Sequence, residues 1–144
     1  MDFDKLISMR NKINKFDRYL GIQILEIREG YAKGEIEISR QHMNIIDSIH
    51  GGCTFSLVDT VAGAAALSHG ELMTTVSANI NYLSPTLGVE KLIAEAVEIK
   101  HGKKISVYDV TVTDDSGVVL ATSSVTYYNL NMTIESKLNE MNAM

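Results

Sequence analysis

Apolar residues recur at three- and four-residue steps near the start of the chain, at Leu6, Met9, Ile13, Phe16 and Leu20. That spacing lays one apolar stripe along an amphipathic helix. Asp2 or Asp4 can cap its first turn, and Gly21 marks its outer limit. Two strands are predicted next, at about 22–28 and 31–39. In the second, Ala32, Gly34, Ile36 and Ile38 alternate with Lys33, Glu35 and Glu37, the period of a half-buried strand. Glu29-Gly30 makes the turn between them.

A loop from Gln41 to Ile49 leads to His50-Gly51-Gly52, and then to residues 53–67, which are apolar nearly all round. A helix of that kind is buried, and its many alanines predict close approach to a sheet. The exceptions are Ser56, Asp59, Thr60 and Gly63, spaced so that they share one face. Residues 74–83, 91–100, 105–113 and 118–130 read as strands. In the first of these, Thr75, Ser77, Asn79 and Asn81 alternate with Val76, Ala78, Ile80 and Tyr82, and Ser84-Pro85 ends it. Gly102 with its basic neighbours and Asp114-Asp115-Ser116-Gly117 form the later turns. Connections this short favour antiparallel neighbours. The polar last ten residues are expected to fray.

The order is helix, two strands, long buried helix, four strands. It predicts an α+β fold: one antiparallel sheet wrapped around a central helix, with a short N-terminal helix beside it. With no repeat or linker, one domain is expected over 1–144, its core at about 20–130.

Composition narrows the partners. The formal net charge of -5 weighs against nucleic acid. Cys53 is the only cysteine, which excludes an intrachain disulfide and a thiolate zinc cluster. It also suits a reducing cytosol, so a cytoplasmic location is expected. Residues 1–10 lack the apolar core of a signal peptide, and no apolar run is long enough to cross a membrane.

Asp59 is the first candidate for chemistry. A carboxylate inside an apolar helix is costly to bury, and no basic residue lies along the segment to pair with it. Ser56, Thr60 and Gly63 beside it suggest a lined cavity, whereas a structural carboxylate would simply face solvent or pair with a buried lysine or arginine. His50-Gly51-Gly52 is the second candidate. Free amides in the first turn, with the helix dipole, would stabilise a developing oxyanion. One such donor contributes on the order of 3 kcal/mol. Alone the triplet is a plain glycine turn; with an acid nine residues after its histidine it is a stronger signal. Cys53 at a helix start could be a nucleophile, but a small core residue is the favoured reading. Lys103 and Lys104 are either a solvated basic turn or a phosphate contact. The four histidines show no metal-ligand spacing, and His42, His69 and His101 read as loop or turn residues.

The run Asn44-Ile45-Ile46-Asp47-Ser48-Ile49-His50-Gly51-Gly52-Cys53-Thr54-Phe55-Ser56-Leu57-Val58-Asp59 resembles the hotdog-fold acyl-CoA thioesterases of the phenylacetate-degradation (PaaI-like) type. Tyr82-Leu83-Ser84-Pro85, the turn at Gly102-Lys103-Lys104 and the hairpin from Gly117 to Thr122 extend the likeness over about residues 20–129. The resemblance implies an acyl-CoA thioesterase whose site lies between subunits of a homodimer or homotetramer. Asp59 would be nucleophile or general base, and the Gly52 amide would polarise the thioester oxygen. Asn44, from across the interface, would position thioester or water, and His50 would orient the site. Gly51, Ser56 and Thr60 would line the substrate site, with Lys103 and Lys104 as candidates for the coenzyme A phosphates. No metal or further cofactor is implied. One departure stands out: where the family has glycine three positions after the asparagine, this chain has Asp47. Two rivals share the fold. A hydratase or dehydratase would carry a His-Phe-Pro signature, which is absent, and a non-catalytic acyl-CoA sensor would leave Asp59 spare.

Overall fold

The computed structural model describes residues 1–144. Its elements are α1 (Phe3–Ile13), α2 (Lys15–Leu20), β1 (Ile22–Arg28), β2 (Tyr31–Glu37), α3 (Gly51–Leu67), β3 (Glu71–Tyr82), β4 (Lys91–His101), β5 (Ile105–Thr113), β6 (Val119–Thr133) and α4 (Ile134–Ala143). The six strands form one antiparallel sheet in the order β1-β2-β4-β5-β6-β3. The sheet and the buried helix are those of the hotdog fold.

The alanine-rich sequence of α3 explains how the helix lies so close to the strands. Ala62, Ala64 and Ala65 are fully buried, as are Ala32, Ala94 and Ala96 on the sheet. The contact is closest at Gly34 on β2, where an added Cβ would stand 2.7 Å from Val61 Cγ2. Leu57, Val58 and Val61 complete the helix's share of a continuous core with Ile36, Leu92, Val110, Val112 and Val125. Burial of that apolar area is the main term holding the fold.

Three expectations need correction. The N-terminal stripe is two helices, broken at Asn14, whose backbone is extended (φ -79°, ψ 99°). Asn11 fixes α1 on β1 by accepting from the Ile24 amide at 2.8 Å and donating to its carbonyl at 2.9 Å. The break then changes which face α2 presents: Phe16 and Tyr19 are exposed, and Asp17 is buried. The C-terminal residues do not fray; they form α4, capped by the Thr133 hydroxyl, which accepts from the Ser136 amide. The alternation expected in β3 is interrupted by a bulge between Thr75 and Ser77 in its pairing with β6. An extra residue shifts the phase of a strand. Thr75 therefore shares the helix-facing side with Ala78, Ile80 and Tyr82 instead of opposing them.

Candidate active site

Asp59 lies in the middle of α3, half-buried, on the wall of a cleft of about 310 Å³. Ser56, Thr60 and Gly63 line the same cleft, as their shared helix face predicts. Opposite them stand Met73, Thr75 and Tyr127 from the sheet, and Arg10, Phe16 and Asp17 from the N-terminal helices.

The carboxylate is held through one oxygen. Asp59 Oδ1 accepts from the Thr75 hydroxyl at 2.8 Å and from the Tyr127 hydroxyl at 3.1 Å. Thr75 and Tyr127 are cross-strand partners in the β3–β6 register, so a single rung of the sheet supplies both donors. The bulge beyond Thr75 is what turns that rung toward the helix. Tyr127 also lies 2.9 Å from the Asp59 carbonyl oxygen. Burial raises the Tyr127 phenol well above its ordinary value, and the charge of Asp59 pushes it further. It therefore keeps its proton and remains a donor. Oδ2 is engaged by no group of the chain and is the oxygen left for chemistry.

A second layer lies behind Asp59. Thr60 donates from its hydroxyl to Asp17 Oδ1 at 2.8 Å, and its carbonyl accepts from Arg10 Nη2 at 3.0 Å. Arg10 and Asp17 stand 3.9 Å apart. Burial raises the Asp17 carboxyl above its ordinary value; the Thr60 hydrogen bond and Arg10 offset part of that, and Asp59 adds to it. Burial also draws the Arg10 guanidinium below its ordinary value, against the pull of Asp17, Tyr127 and Asp59. Thr60 thus anchors the N-terminal helices to α3. Arg10, Asp17, Thr75 and Tyr127 were not anticipated from the sequence. For the first two a signal existed: Arg10 and Asp17 sit seven residues apart at the edge of the apolar stripe.

The other candidates gather at the start of α3, away from Asp59. His50 is the N-cap: its Nδ1 accepts from the Gly52 amide at 2.9 Å. The Gly51 carbonyl accepts from the Tyr82 hydroxyl at 2.7 Å, and Ser56 donates to the Gly52 carbonyl at 2.8 Å. Asn44 closes its own loop, Oδ1 accepting from the amides of Ile46 and Ser48. Asp47 in that loop has φ 59°, the left-handed region that the family's glycine would occupy without cost. The loop thus turns as a glycine would turn it. Gly52 and Asp59 are seven residues apart on one helix, which separates them by about 10 Å along its axis. Lys103 and Lys104 lie exposed in the β4–β5 turn and line no part of the cleft. Cys53 is buried, and burial pushes its thiol up to about 11, opposite to the shift of an activated cysteine.

The chain resembles known thioesterases in sequence and in fold. The family model described as the thioesterase superfamily matches residues 47–121. The chain is 32% identical to Escherichia coli acyl-coenzyme A thioesterase PaaI over 102 residues, 71% of this chain and 73% of that one. It is 31% identical to human acyl-coenzyme A thioesterase 13 over 113 residues, 76% of this chain and 81% of that one. The solved structure of E. coli PaaI superposes with a TM-score of 0.83 at 27% identity, covering 88% of this chain and 91% of that one. A Streptococcus mutans protein solved with acetyl-CoA bound superposes with a TM-score of 0.74 at 26% identity, covering 82% and 93%.

Proposed function

Since the chain belongs to the thioesterase superfamily, we propose that it hydrolyses an acyl-CoA to free acid and coenzyme A, with Asp59 as the reacting carboxylate. The observation that carries this reading is the Asp59 carboxylate in its cleft, tied by Thr75 and Tyr127 through Oδ1 with Oδ2 open. Two fixed donors hold the group in one orientation.

As general base, Asp59 takes a proton from water while the water oxygen bonds to the thioester carbon. The carbonyl electron pair moves onto oxygen. Collapse of that tetrahedral species breaks the C–S bond, and the departing thiolate takes up the proton. As nucleophile, Asp59 bonds to the same carbon itself and the C–S bond breaks; water then opens the mixed anhydride to free acid, restoring the Asp59 carboxylate, and the departed thiolate takes up the proton released. Single turnover in ¹⁸O-water separates the two, since only the anhydride route can leave the label in the Asp59 carboxylate.

The oxyanion needs a donor, and the Gly52 amide at the positive end of α3 suits it. His50 caps that amide in this chain, so its ring must swing aside or act as the gate for substrate entry. A thioester carbon cannot lie within bonding reach of Gly52 and Asp59 of one chain when about 10 Å separates them along the helix. This supports a site shared between two copies, Gly52 and Asn44 from one and Asp59 from the other. The outer edge of β3 is unpaired, and Val76, Leu83 and Leu87 on or just after it are exposed, which favours a homodimer or a homotetramer built on it. Lys103 and Lys104 are the proposed contacts for the coenzyme A phosphates.

The test is thiol release from phenylacetyl-, benzoyl-, acetyl-, hexanoyl- and palmitoyl-CoA. Asp59→Asn should lower turnover by about 10²- to 10⁴-fold with an unchanged circular dichroism spectrum. A variant that retains the wild-type rate would remove Asp59 from the chemistry. Tight acyl-CoA binding without hydrolysis by the wild type would favour a sensor.

A further inference from the structure

The far end of α3 carries a second convergence of chemistry, about 15 Å along the helix axis from Asp59. His69 in the turn after α3, and Glu98 and His101 on β4, bring their ligand atoms within 4.8 Å of one another. His69 Nε2 lies 2.5 Å from Glu98 Oε2, and His101 Nε2 lies 3.4 Å from Oε2 of Glu71, the first residue of β3. Three side chains of metal-ligating type, from a turn and a strand, thus converge at one spot, and Glu71 stands beside His101. In sequence His69 and His101 stand 32 positions apart, which is why spacing gave no sign of them.

From this arrangement we infer that His69, Glu98 and His101, with Glu71 as fourth ligand, form a binding site for a divalent transition cation of the zinc type. Glu71 Oε2 is buried and has no hydrogen-bond donor. A desolvated carboxylate oxygen without a donor is destabilising, and a bound cation satisfies it. The imidazole rings of His69 and His101 stack at 3.8 Å between centroids, which holds the two side chains side by side. The supporting groups fit as well. His101 Nδ1 lies 3.4 Å from the Ser106 hydroxyl, which turns Nε2 toward the cluster. Tyr108 donates to Glu98 Oε2 at 3.0 Å. Metal-binding histidines and carboxylates are oriented by such outer partners. The negative end of the α3 dipole, just before His69, adds to the attraction for a cation.

Two imidazoles and two carboxylates select zinc, cobalt and their neighbours over magnesium or calcium, which prefer all-oxygen sites. Ligand atoms around tetrahedral zinc stand about 3.4 Å apart. The His69–Glu98 pair would therefore open by about 1 Å as metal replaces the proton between them. Bound metal would tie the turn after α3 to the start of β3 and the end of β4. The site lies apart from the Asp59 cleft, and its test does not depend on thioesterase activity.

The protein, stripped with EDTA and dialysed against micromolar Zn²⁺, should retain about one zinc per chain and melt several degrees higher than the stripped form. His101→Ala and His69→Ala should each lose the retained zinc and the melting shift. Tyr108→Phe should weaken binding roughly ten- to a hundredfold, because it loosens Glu98 without removing a ligand. Cys53→Ser should bind like the wild type. Stripped wild type that takes up no zinc would overturn the site, as would undiminished binding by His101→Ala. Should an alanine variant fail to fold, Co²⁺ spectroscopy of the wild type decides. Visible bands of a four-coordinate nitrogen–oxygen site are expected, and a near-ultraviolet thiolate band would place the metal on Cys53 and overturn the assignment.

Discussion

Asp59 shows how little a residue's identity says without its neighbours. An aspartate on a buried helix acquires a direction only because Thr75 and Tyr127 grip one of its oxygens. Tyr127 is thus a positioning residue, and Tyr127→Phe isolates its hydroxyl. A hydrogen bond to a charged group contributes about 1.5–3 kcal/mol, so kcat should fall roughly ten- to a hundredfold if the orientation it sets is realised in the transition state. KM for the acyl-CoA should hold, because Tyr127 grips the carboxylate and not the substrate. Steady-state kinetics decides: a change confined to KM would assign Tyr127 to substrate binding instead. Cys53 makes the opposite case. It stands at the start of the same helix, but burial holds its thiol at about 11, so at neutral pH it stays protonated. Cys53→Ser should keep turnover near the wild-type level. In the folded wild type, alkylation by iodoacetamide should be slow at pH 7 and accelerate about tenfold per pH unit as the thiolate fraction grows. Fast alkylation at pH 7 together with loss of turnover in Cys53→Ser would reinstate the thiol as a nucleophile.

At the scale of the element, the legible parts were those set by local period. α3 is apolar nearly all round and the strands alternate over much of their length, and the structure has these elements within a few residues of where the pattern puts them. The acid and the glycines at the start of the helix were legible for the same reason. What stayed hidden depends on contacts between elements. The bulge after Thr75 leaves no mark in the alternation, yet it decides that Thr75 meets Asp59. The break at Asn14 follows from Asn11 docking on Ile24, a contact no helical period encodes. α4 was missed for a different reason: Ile134, Leu138 and Met141 do keep helical spacing, but the segment is short and polar. The break also creates a titratable joint between α2 and α3. Burial raises the Asp17 carboxyl, so the folded state holds this proton more tightly than the unfolded chain does. Its contribution to stability is therefore complete below the ordinary carboxylate value and is lost as pH rises through the raised one. Asp17→Asn keeps an acceptor for Thr60 and Arg10 but cannot ionise. Its melting temperature relative to wild type should be more favourable at pH 7 than at pH 4. The same difference at both pH values would show that Arg10 fully offsets the burial of the charge.

The whole molecule raises a question that one chain cannot answer within itself. Its proposed oxyanion donor and its proposed carboxylate lie on the same face of one helix, about 10 Å apart along the axis, too far to act on one carbon. Two copies related by a twofold axis resolve this, because each α3 then offers its start to the middle of the other. The unpaired edge of β3, with exposed Val76 and Leu83 on or beside it, is the surface on which such a pairing would form. The arrangement makes a quantitative prediction. Gly52→Pro removes the amide donor while leaving a first turn that tolerates proline, since the Gly52 amide donates to the His50 ring and not to the helix. Asp59→Asn removes the carboxylate. Each variant alone should be inactive. Unfolded together and refolded in equal amounts, they should form mixed dimers with one intact site, pairing Gly52 of one chain with Asp59 of the other. Half of the dimers would be mixed and half of their sites intact, so activity should return to about a quarter of the wild-type level. Sites confined to one chain would give no recovery, because every chain in the mixture would lack one of the two groups.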